Sequence, residues 1–334
     1  MFQFYEKSRN FDSGKDRRNA PTEAVAASER QSASANELVS LVVTTINRVQ
    51  ELARLFRSLA KQHNSSFEVV LVDQNQDDRL AGLITYYASC FPVRHLRSLP
   101  GLSKSRNVGL FQCRGEIIGF PDDDCWYLED TIDRVIAIFR TAADVEIISG
   151  RTIDKEGVES LGQFQNFSSR ITRSNLWRTH NSSTLFVRAR ALQAVCGFDE
   201  SLGLGAKSPF QSGEETDLLL KVMQRGGQAQ FYRDLTIFHD QIPSSSSAML
   251  RRAKSYSPGF GRLLRKHNFG FLYLAFRVAL TCGGAVRAAL RMNSTEARYK
   301  IAWALGTIQG YFAKPNSQVS GVANPLLGKP ITDR

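Results

Sequence analysis

Gly115-Glu116-Ile117-Ile118-Gly119-Phe120-Pro121-Asp122-Asp123-Asp124-Cys125-Trp126 places three consecutive carboxylates directly after an apolar run. The run predicts a buried strand, and charge at the end of such a strand is costly unless a counter-charge meets it. Alternate residues of an extended chain point the same way, so we expect Asp122 and Asp124 to converge while Asp123 faces elsewhere. Two convergent carboxylates suit Mg²⁺ or Mn²⁺, ions that commonly hold phosphates. A surface turn rich in Pro and Asp is the alternative.

Strands and helices alternate around this stretch. Apolar and β-branched runs predict strands at 38–45, 67–72, 93–96 and 117–120, and the segments between them predict helices at 49–60, 80–87 and 103–112. This alternation predicts βαβ units and a parallel sheet, in which ligands bind at the carboxyl ends of the strands. Three polar clusters fall at these ends: Thr44, Thr45 and Arg48; Asp73, Asn75 and Asp77; and Asp122, Asp123 and Asp124. We therefore favour a binding site over a surface turn.

The second half continues the alternation around a long irregular segment. Helices are predicted at 128–139, 189–195 and 218–225, and strands at 145–149, 185–187, 229–232 and 236–239. The polar stretch over 154–180 has no periodicity, and structureless loops of that length are usually functional or mobile. Ser212-Gly213-Glu214-Glu215-Thr216-Asp217 opens the third of these helices, and Ser212 with Glu215 has the spacing of a capping box. The acidic cluster can therefore cap the helix, face a site, or do both.

Composition limits the class of protein. A chain of 334 residues with 42% hydrophobic residues can build a sizeable core in one large domain or two smaller ones. Its 5 cysteines have neither disulfide-framework nor zinc-site spacing, which favours a reducing compartment. Residues 1–37 are polar and poor in aliphatic residues, which predicts disorder, and they contain no secretory signal pattern. A flexible tail is expected over 316–334.

Positive charge is concentrated in the C-terminal quarter. The net charge is +11, and residues 245–334 alone contain 14 Lys and Arg against 2 Asp and Glu. The part that holds the aspartates is therefore close to neutral, and the basic part predicts a surface for an anionic partner.

Within this basic part, an apolar helix-like stretch over 269–292 is near the length of a membrane span, but Arg277 and Arg287 interrupt it. On a helical wheel, Arg277, Arg287 and Arg291 share one face, which predicts an interfacial helix on an anionic membrane surface. A helical appendage packed on the preceding domain is the alternative.

The motifs together resemble the inverting family 2 glycosyltransferases with the GT-A fold, over roughly residues 38–240. The matching segments are Thr44-Thr45-Ile46-Asn47-Arg48, without the family's usual Pro; Val72-Asp73-Gln74-Asn75-Gln76-Asp77, like the nucleotide-contacting loop; Gly101-Leu102-Ser103-Lys104-Ser105-Arg106-Asn107-Val108-Gly109, with Ser105 where Ala is usual; Asp122-Asp123-Asp124, at the DXD-type metal motif; and Gly213-Glu214-Glu215-Thr216-Asp217, with Glu215 where Asp is usual.

This resemblance implies a fold class and a set of roles. The fold is α/β, a Rossmann-like nucleotide-diphospho-sugar transferase domain over 38–240 with a mostly helical, basic, amphipathic extension over 241–315. Glu215 is the implied base, with Glu214 and Asp217 as alternatives, and Asp124, Asp122 and His239 are the implied ligands of Mg²⁺ or Mn²⁺. The implied substrate-binding residues are Thr44, Thr45, Arg48, Asp73, Asn75, Arg106, Asn107, Asp122 and Asp123. The implied substrates are a nucleotide-sugar donor, with UDP favoured, and a saccharide or lipid-linked saccharide acceptor.

Other classes of function fit less well. A metal-dependent sugar nucleotidyltransferase usually carries a Gly-rich phosphate loop after its first strand, and residues 44–48 contain no glycine. A non-catalytic nucleotide-sugar or polyanion-binding protein would not need the acidic cluster at 214–217 together with the three aspartates. A nucleophile elbow and a nucleic-acid-binding motif are both missing from the sequence. We expect a cytoplasmic enzyme, peripheral on the inner face of the plasma membrane, in envelope or exopolysaccharide synthesis.

Overall fold

The computed structural model describes residues 37–241 and 246–314. They form a mixed α/β region whose last strand ends at His239, followed by three helices that begin at Ser246. The disorder predicted for residues 1–37 falls, except for residue 37 itself, outside the described residues, and so does the flexible tail predicted for 316–334.

One mixed sheet runs through the α/β region. Its strands are β1 (Val39–Thr45), β2 (Phe67–Asp73), β3 (Val93–Arg97), β4 (Ile117–Gly119), β5 (Cys125–Trp126), β6 (Val145–Ile153), β7 (Ser169–Arg170), β8 (Phe186–Arg188) and β9 (Gln228–His239). The order across the sheet is β3-β2-β1-β4-β8-β6-β9-β5, with β7 paired to β9. As predicted, β1 to β4 pair in parallel, whereas β8 is antiparallel to both β4 and β6. The two strands predicted at 229–232 and 236–239 are a single strand, β9, whose register shifts beside β6.

Helices cover both faces of this sheet. They are α1 (Gln50–Leu59), α2 (Ala81–Tyr87), α3 (Leu102–Leu110), α4 (Thr131–Thr141), α5 (Ala189–Ala194) and α6 (Glu214–Gln224). Alternation along β1 supplies two cores, because Leu41 and Val43 pack with α1 and α4 while Val42 packs with α3 and α6. The segment predicted to be irregular over 154–180 holds only β7 and a 3₁₀ turn at Leu176–Arg178.

The C-terminal extension folds as α7 (Ser246–Lys266), α8 (Gly270–Leu290) and α9 (Ser294–Phe312). Helices α7 and α9 cross closely, because a Cβ at Gly306 would lie only 1.9 Å from Ser257 Oγ. Helix α7 is also close to the segment before α6, since a Cβ at Gly259 would lie 2.4 Å from the carbonyl oxygen of Ser212. The extension is therefore fastened to the α/β region directly beside the acidic cluster.

Helix α8 turns its more apolar face outward. Leu274, Ala285 and Ala288 are buried on its inner face. The large side chains of its outer face are exposed: Phe271, Leu272, Phe276, Leu280, Val286 and Leu290. Among the helices that the structure describes, Gly270–Leu290 is the one that is long and apolar enough, by length and composition alone, to cross a membrane.

The three arginines that were predicted to form one basic face differ in their surroundings. Arg277 lies inward, with its guanidinium carbon 5.5 Å from the ring centre of Trp177 and 5.0 Å from that of Phe260. Arg287 and Arg291 are exposed. The predicted basic face is therefore fully exposed only at Arg287 and Arg291, because aromatic rings of neighbouring elements hold Arg277 by cation–π contact.

Candidate functional site

A cavity of about 1070 Å³ opens at the carboxyl ends of the central strands. Its volume is at the upper end for small-molecule sites, so it can accommodate more than one ligand group. The strand ends contribute Thr44, Thr45, Arg48, Asp122, Asp123, Asp124 and His239, the start of α6 contributes Gly213, Glu214, Glu215 and Thr216, and the C-terminal helices contribute Arg252, Tyr256, Phe260, Tyr299 and Trp303. A smaller cavity of about 560 Å³, lined in part by Arg54 and Trp126, contains none of the predicted site residues.

The three aspartates lie on a turn rather than along a strand. Asp122 continues the pairing of β4 with β1 through a bridge to Thr44, and the chain then turns at Asp123 and Asp124. Arg48 Nη1 donates to Asp123 Oδ1 at 2.9 Å and also to Asp124 Oδ2. The expectation that Asp122 and Asp124 converge while Asp123 faces elsewhere is wrong, because the turn breaks the alternation of an extended chain. The segment is both a turn and part of the cavity.

Asp123 anchors this turn to β1. Its Oδ2 accepts a hydrogen bond of 2.7 Å from Thr45 Oγ1, and the residue is buried. Burial raises the pKa of Asp123 to about 6, although the charge of Arg48 opposes the shift. Asp123 and Thr45 therefore hold the turn in place more than they offer free groups to a ligand.

Asp124 and His239 form the pair best suited to a metal ion. His239 Nε2 lies 3.1 Å from Asp124 Oδ1, while its Nδ1 donates to the backbone carbonyl of Asp240. Metal-binding histidines usually donate their second ring N–H in this way. Burial opposes ionisation of Asp124, but the hydrogen bond and charge of His239 outweigh it and lower the pKa of Asp124 to about 2.

These two side chains fit a cation that is completed by phosphate and water. Among residues 37–241 and 246–314, no group of three or more His, Cys, Asp or Glu side chains is placed to hold a metal ion. Mg²⁺ sites often use only one or two carboxylates and take their other ligands from substrate phosphates and water. The donor set of Asp124 and His239 is therefore compatible with Mg²⁺ or Mn²⁺.

Asp122 is engaged elsewhere. Its Oδ2 accepts hydrogen bonds from Ser183 Oγ at 2.6 Å and Ser182 Oγ at 3.0 Å, and its Oδ1 accepts from Arg106 Nη2 at 3.2 Å. The structure thus separates Asp122 from the Asp124–His239 pair with which it was grouped as a metal ligand.

Arg106 was predicted to face a diphosphate, but the structure places it underneath the site. It is 2% exposed and is not among the described residues that line the cavity. Its guanidinium donates to Glu214 Oε1 at 3.1 Å as well as to Asp122, and its carbon lies 5.4 Å from the ring centre of Phe198. Arg106 is therefore a positioning residue that connects the aspartate turn to the acidic cluster.

Glu214 and Glu215 form the acidic pair at the start of α6. Glu214 is 5% exposed, whereas Glu215 is partly exposed to the cavity. Burial raises the pKa of Glu214 to about 8, and the charge of Glu215 adds to the rise while Arg106 opposes it. Burial also raises the pKa of Glu215. A partly exposed carboxyl with a raised pKa has the properties of a general base near neutral pH.

Asp217, the third predicted candidate for the base, is fully buried at 0% exposure. Its Oδ1 accepts from His267 Nε2 at 2.7 Å and from Lys266 Nζ at 2.6 Å. These contacts outweigh the effect of burial and lower its pKa to about 2. The structure does not support Asp217 as the base, because neighbouring cations occupy its carboxylate; it fastens α6 to the end of α7.

Three other predicted substrate-binding residues also have internal partners. Asp73 is fully buried and lies 3.1 Å from both His95 Nε2 and Arg97 Nη1. Asn75 accepts from the backbone N–H of Asn47 at 2.7 Å and donates to Asp73 at 2.7 Å.

Asn107 accepts from the Phe198 N–H at 2.9 Å and donates to Glu200 at 3.0 Å. Asp73, Asn75 and Asn107 are not among the described residues that line the cavity. Their side chains instead stabilise the loops next to it.

Several residues of the site were not predicted. Ser182 and Ser183 precede β8, which is antiparallel to β4, so the amino end of β8 lies beside the carboxyl end of β4. A hydroxyl-rich run before a strand was the available signal. It points to the site only once β8 is known to be antiparallel to β4. Lys266 was counted with the basic surface and His267 was not assigned a role, and no local pattern marks their contact with Asp217.

Comparisons with known proteins identify the domain. Residues 40–192 match the model described as Glycosyl transferase family 2. An uncharacterized glycosyltransferase of Haemophilus influenzae is 30% identical over 113 residues, which are 33% of this chain and 37% of that relative. Poly(ribitol-phosphate) beta-N-acetylglucosaminyltransferase TarS of Staphylococcus aureus is 30% identical over 125 residues, which are 36% of this chain and 22% of TarS. The chain thus spans far less than two thirds of the length of these relatives.

Solved structures agree on the architecture. Residues 1–349 of Staphylococcus aureus TarS superpose with a TM-score of 0.53 and 17% identity, over 80% of this chain and 92% of that one. The mannosyltransferase PcManGT from Pyrobaculum calidifontis, in complex with GDP-Man and Mn²⁺, superposes with a TM-score of 0.58 and 17% identity, over 82% of this chain and 88% of that one. These matches confirm the resemblance to family 2 glycosyltransferases over residues 40–192, and this part of the chain is a glycosyl transferase family 2 domain with the GT-A fold.

Proposed function

We propose that the cavity binds a nucleoside-diphosphate sugar and an acceptor hydroxyl, and that the chain transfers the sugar with inversion and with help from a divalent cation. The observation that carries this proposal is that one cavity is lined by both the Asp124–His239 pair and the Glu214–Glu215 pair. The first supplies hard ligands near a phosphate, and the second supplies a base. A UDP-linked donor is favoured, because TarS 1–349 has a structure in complex with UDP-GlcNAc.

Each residue of the cavity would have its own role in the transfer. Glu215 takes the proton of the acceptor hydroxyl, and the acceptor oxygen forms a bond to the anomeric carbon on the face opposite the diphosphate. The bond between that carbon and the diphosphate oxygen breaks, and the nucleoside diphosphate leaves with its electron pair. Arg48, whose side chain is 45% exposed, lies where it can meet a phosphate. Mg²⁺ or Mn²⁺ held by Asp124 and His239 would neutralise charge on the leaving group.

We also propose a saccharide or lipid-linked saccharide acceptor in envelope or exopolysaccharide synthesis, at the cytoplasmic face of the plasma membrane. The name of TarS specifies poly(ribitol-phosphate), a polymer, for that relative. The exposed apolar face of α8, with Arg287 and Arg291 near its end, supports contact with an anionic leaflet. The inner face of α8 packs on the protein, which favours a helix lying on the membrane over one crossing it.

The donor site is tested by thermal unfolding with UDP, GDP, ADP or CDP, each with and without MnCl₂. A ligand at 100 times its dissociation constant adds about 2.7 kcal/mol to the free energy of unfolding. We expect an Mn²⁺-dependent rise of the midpoint with UDP, lost in Asp124→Ala and reduced in His239→Ala.

The matched control is Asp234→Ala, which removes one exposed carboxylate outside the cavity and should keep the shift. Absence of a shift with all four nucleotides would remove the donor site from the proposal.

A further inference from the structure

Aromatic residues of the C-terminal helices form one wall of the cavity that also holds the acidic pair. We propose that Tyr299 and Trp303 of α9 are a platform on which a sugar ring of the acceptor stacks. The inference rests on the proposed transferase function and names the chemistry of the acceptor at the same site.

The two rings are placed as a continuous surface. Tyr299 and Trp303 are one helical turn apart and therefore share one face of α9. Their ring centres are 5.9 Å apart with an interplanar angle of 32°, and both rings line the cavity while remaining partly exposed. Trp303 is also 6.3 Å from the ring of Phe260 on α7, which extends the surface to a second helix.

The wall is held rigidly against the catalytic region. Helix α7 contacts α9 through its backbone, because a Cβ at Gly261 of α7 would lie 2.0 Å from the carbonyl oxygen of Thr307 of α9. Helix α7 also contacts the start of α6. Ser212 Oγ donates to the carbonyl oxygen of Tyr256 at 2.8 Å, and Lys266 pairs with the buried Asp217. The distance from the rings to the acidic pair is therefore fixed by the fold, as preorganised binding requires.

Polar groups accompany the rings. Burial raises the pKa of the Tyr256 phenol, Arg252 opposes this rise, and Glu214 and Glu215 add to it, so Tyr256 lies within electrostatic reach of the base. Arg252 lines the cavity, and its guanidinium carbon lies 5.0 Å from the centre of the Tyr256 ring. It makes no ion pair with any residue that the structure describes.

This mixture of groups fits a saccharide. A pyranose has a face of C–H groups that packs on an aromatic ring and an edge of hydroxyls that needs hydrogen-bonding partners. Tyr299 and Trp303 supply aromatic rings for the C–H face, and Arg252 and Tyr256 supply hydrogen-bonding partners for the hydroxyls. A lipid chain packed on this wall would take the guanidinium of Arg252 out of water without giving it a polar partner, which is costly.

The test uses the full chain with UDP and MnCl₂ present. Binding is measured by saturation-transfer NMR and titration for the methyl β-glycosides of glucose, N-acetylglucosamine, galactose, mannose and glucuronic acid, with geranyl phosphate as the lipid probe. We expect at least one glycoside to bind, and Trp303→Ala and Tyr299→Ala to weaken it by about tenfold, the size of one lost ring contact.

Phe312→Ala is the matched control, because Phe312 is an aromatic residue of the same helix that is 63% exposed and is not among the described residues that line the cavity. It should bind the glycoside like the wild type. A shift of the unfolding midpoint by UDP and MnCl₂ that equals that of the wild type shows that each variant is folded, and Trp303→Phe, which keeps a ring, should retain most of the affinity.

Three results would overturn the platform: glycoside affinity unchanged in both alanine variants, binding of geranyl phosphate alone, or no glycoside binding to the wild type. Each of them can be distinguished from failure of the donor site. If UDP binds and the glycosides do not depend on Trp303, the platform alone is wrong; if UDP does not bind, the transferase proposal fails first.

Discussion

Arg106 Nη1 lies 3.1 Å from Glu214 Oε1, in a buried contact between residues 108 positions apart in the sequence. The same guanidinium donates to Asp122, so the turn with the aspartates and the helix with the acidic pair are connected through one side chain. Movement of either element would disturb the other. The two halves of the proposed active site are therefore mechanically coupled beneath the cavity floor.

Replacing Arg106 should destabilise the protein strongly. Arg106→Ala leaves Asp122 without its cation and Glu214 without its hydrogen-bond donor, and removing one partner from such a buried network costs about 3–5 kcal/mol. Arg106→Lys keeps the charge but loses the planar fork, so its cost should be smaller. Urea unfolding measures both. Arg114→Ala, at an exposed position, is the control and should change stability by less than about 0.5 kcal/mol. An Arg106→Ala variant as stable as the wild type would contradict the coupling.

Stability should fall as pH rises through the titration of the acidic pair. Burial raises the pKa of Glu214 from 4.5 to about 8, so folding favours its protonated form. A group whose pKa is higher in the folded state contributes stability below its unfolded pKa, and the contribution is lost as pH rises towards the folded value. Between about pH 5 and pH 8, the free energy of unfolding should decline less in Glu214→Gln than in the wild type. Equal slopes in a series of urea titrations would show that Glu214 is not the group responsible.

The proposed role of Glu215 as the base should be separable from donor binding. Glu215→Gln keeps the shape of the side chain but cannot accept the proton, so transfer should fall by about 10²–10⁴. Binding of UDP with Mn²⁺ should stay within about twofold of the wild type, because Glu215 is not part of the Asp124–His239 pair that is proposed to hold the metal ion. Glu215→Asp, which retains a carboxylate, should keep measurable transfer. Loss of UDP binding in Glu215→Gln, with transfer preserved for the donor that still binds, would assign Glu215 to the donor instead.

Much of the sheet could be predicted because its information is local. The alternation of Leu41, Val42 and Val43 between two cores and the apolar run of β2 are visible in the sequence. The continuity of β9 was not, because Arg233 and Asp234 look like a break between two strands. In the structure the chain continues through them with a shift in register against β6.

The location of the site was predictable, but the partners of its side chains were not. Carboxyl ends of parallel strands meet at one edge of a sheet, which brought the Asp124 turn and Thr45 to one cavity. Whether a side chain faces that cavity or the interior depends on residues far away in sequence. Arg106 and Asp73 were expected to contact the donor, yet carboxylates and cations on other elements hold them below the surface. No spacing rule within one segment contains that information.

Membrane contact should depend on the exposed arginines near the end of α8. Each Lys or Arg close to an anionic leaflet contributes about 1 kcal/mol, so Arg287→Gln with Arg291→Gln should weaken binding to phosphatidylglycerol vesicles by about 2 kcal/mol. Co-sedimentation at low salt measures the effect. Lys61→Gln with Lys155→Gln is the control, because both lysines are exposed, lie outside α8 and change the net charge equally. A wild-type chain that stays in solution with these vesicles would contradict the membrane surface, and equal losses in both double variants would assign the binding to net charge.

The close approach of α7 and α9 should depend on the absence of a side chain at Gly306. A Cβ at Gly306 would lie 1.9 Å from Ser257 Oγ and 3.2 Å from Pro258 Cδ, so Gly306→Ala forces the helices apart. Overpacking of this kind typically costs about 1–3 kcal/mol. Gly283→Ala is the matched control: it also lies inside a helix, but a Cβ there meets nothing within 4 Å, so the better helix propensity of alanine should stabilise the chain by about 1 kcal/mol. Urea unfolding should therefore give opposite signs for the same chemical change. The same sign in both would mean that helix propensity, not the close approach of α7 and α9, decides the effect at Gly306.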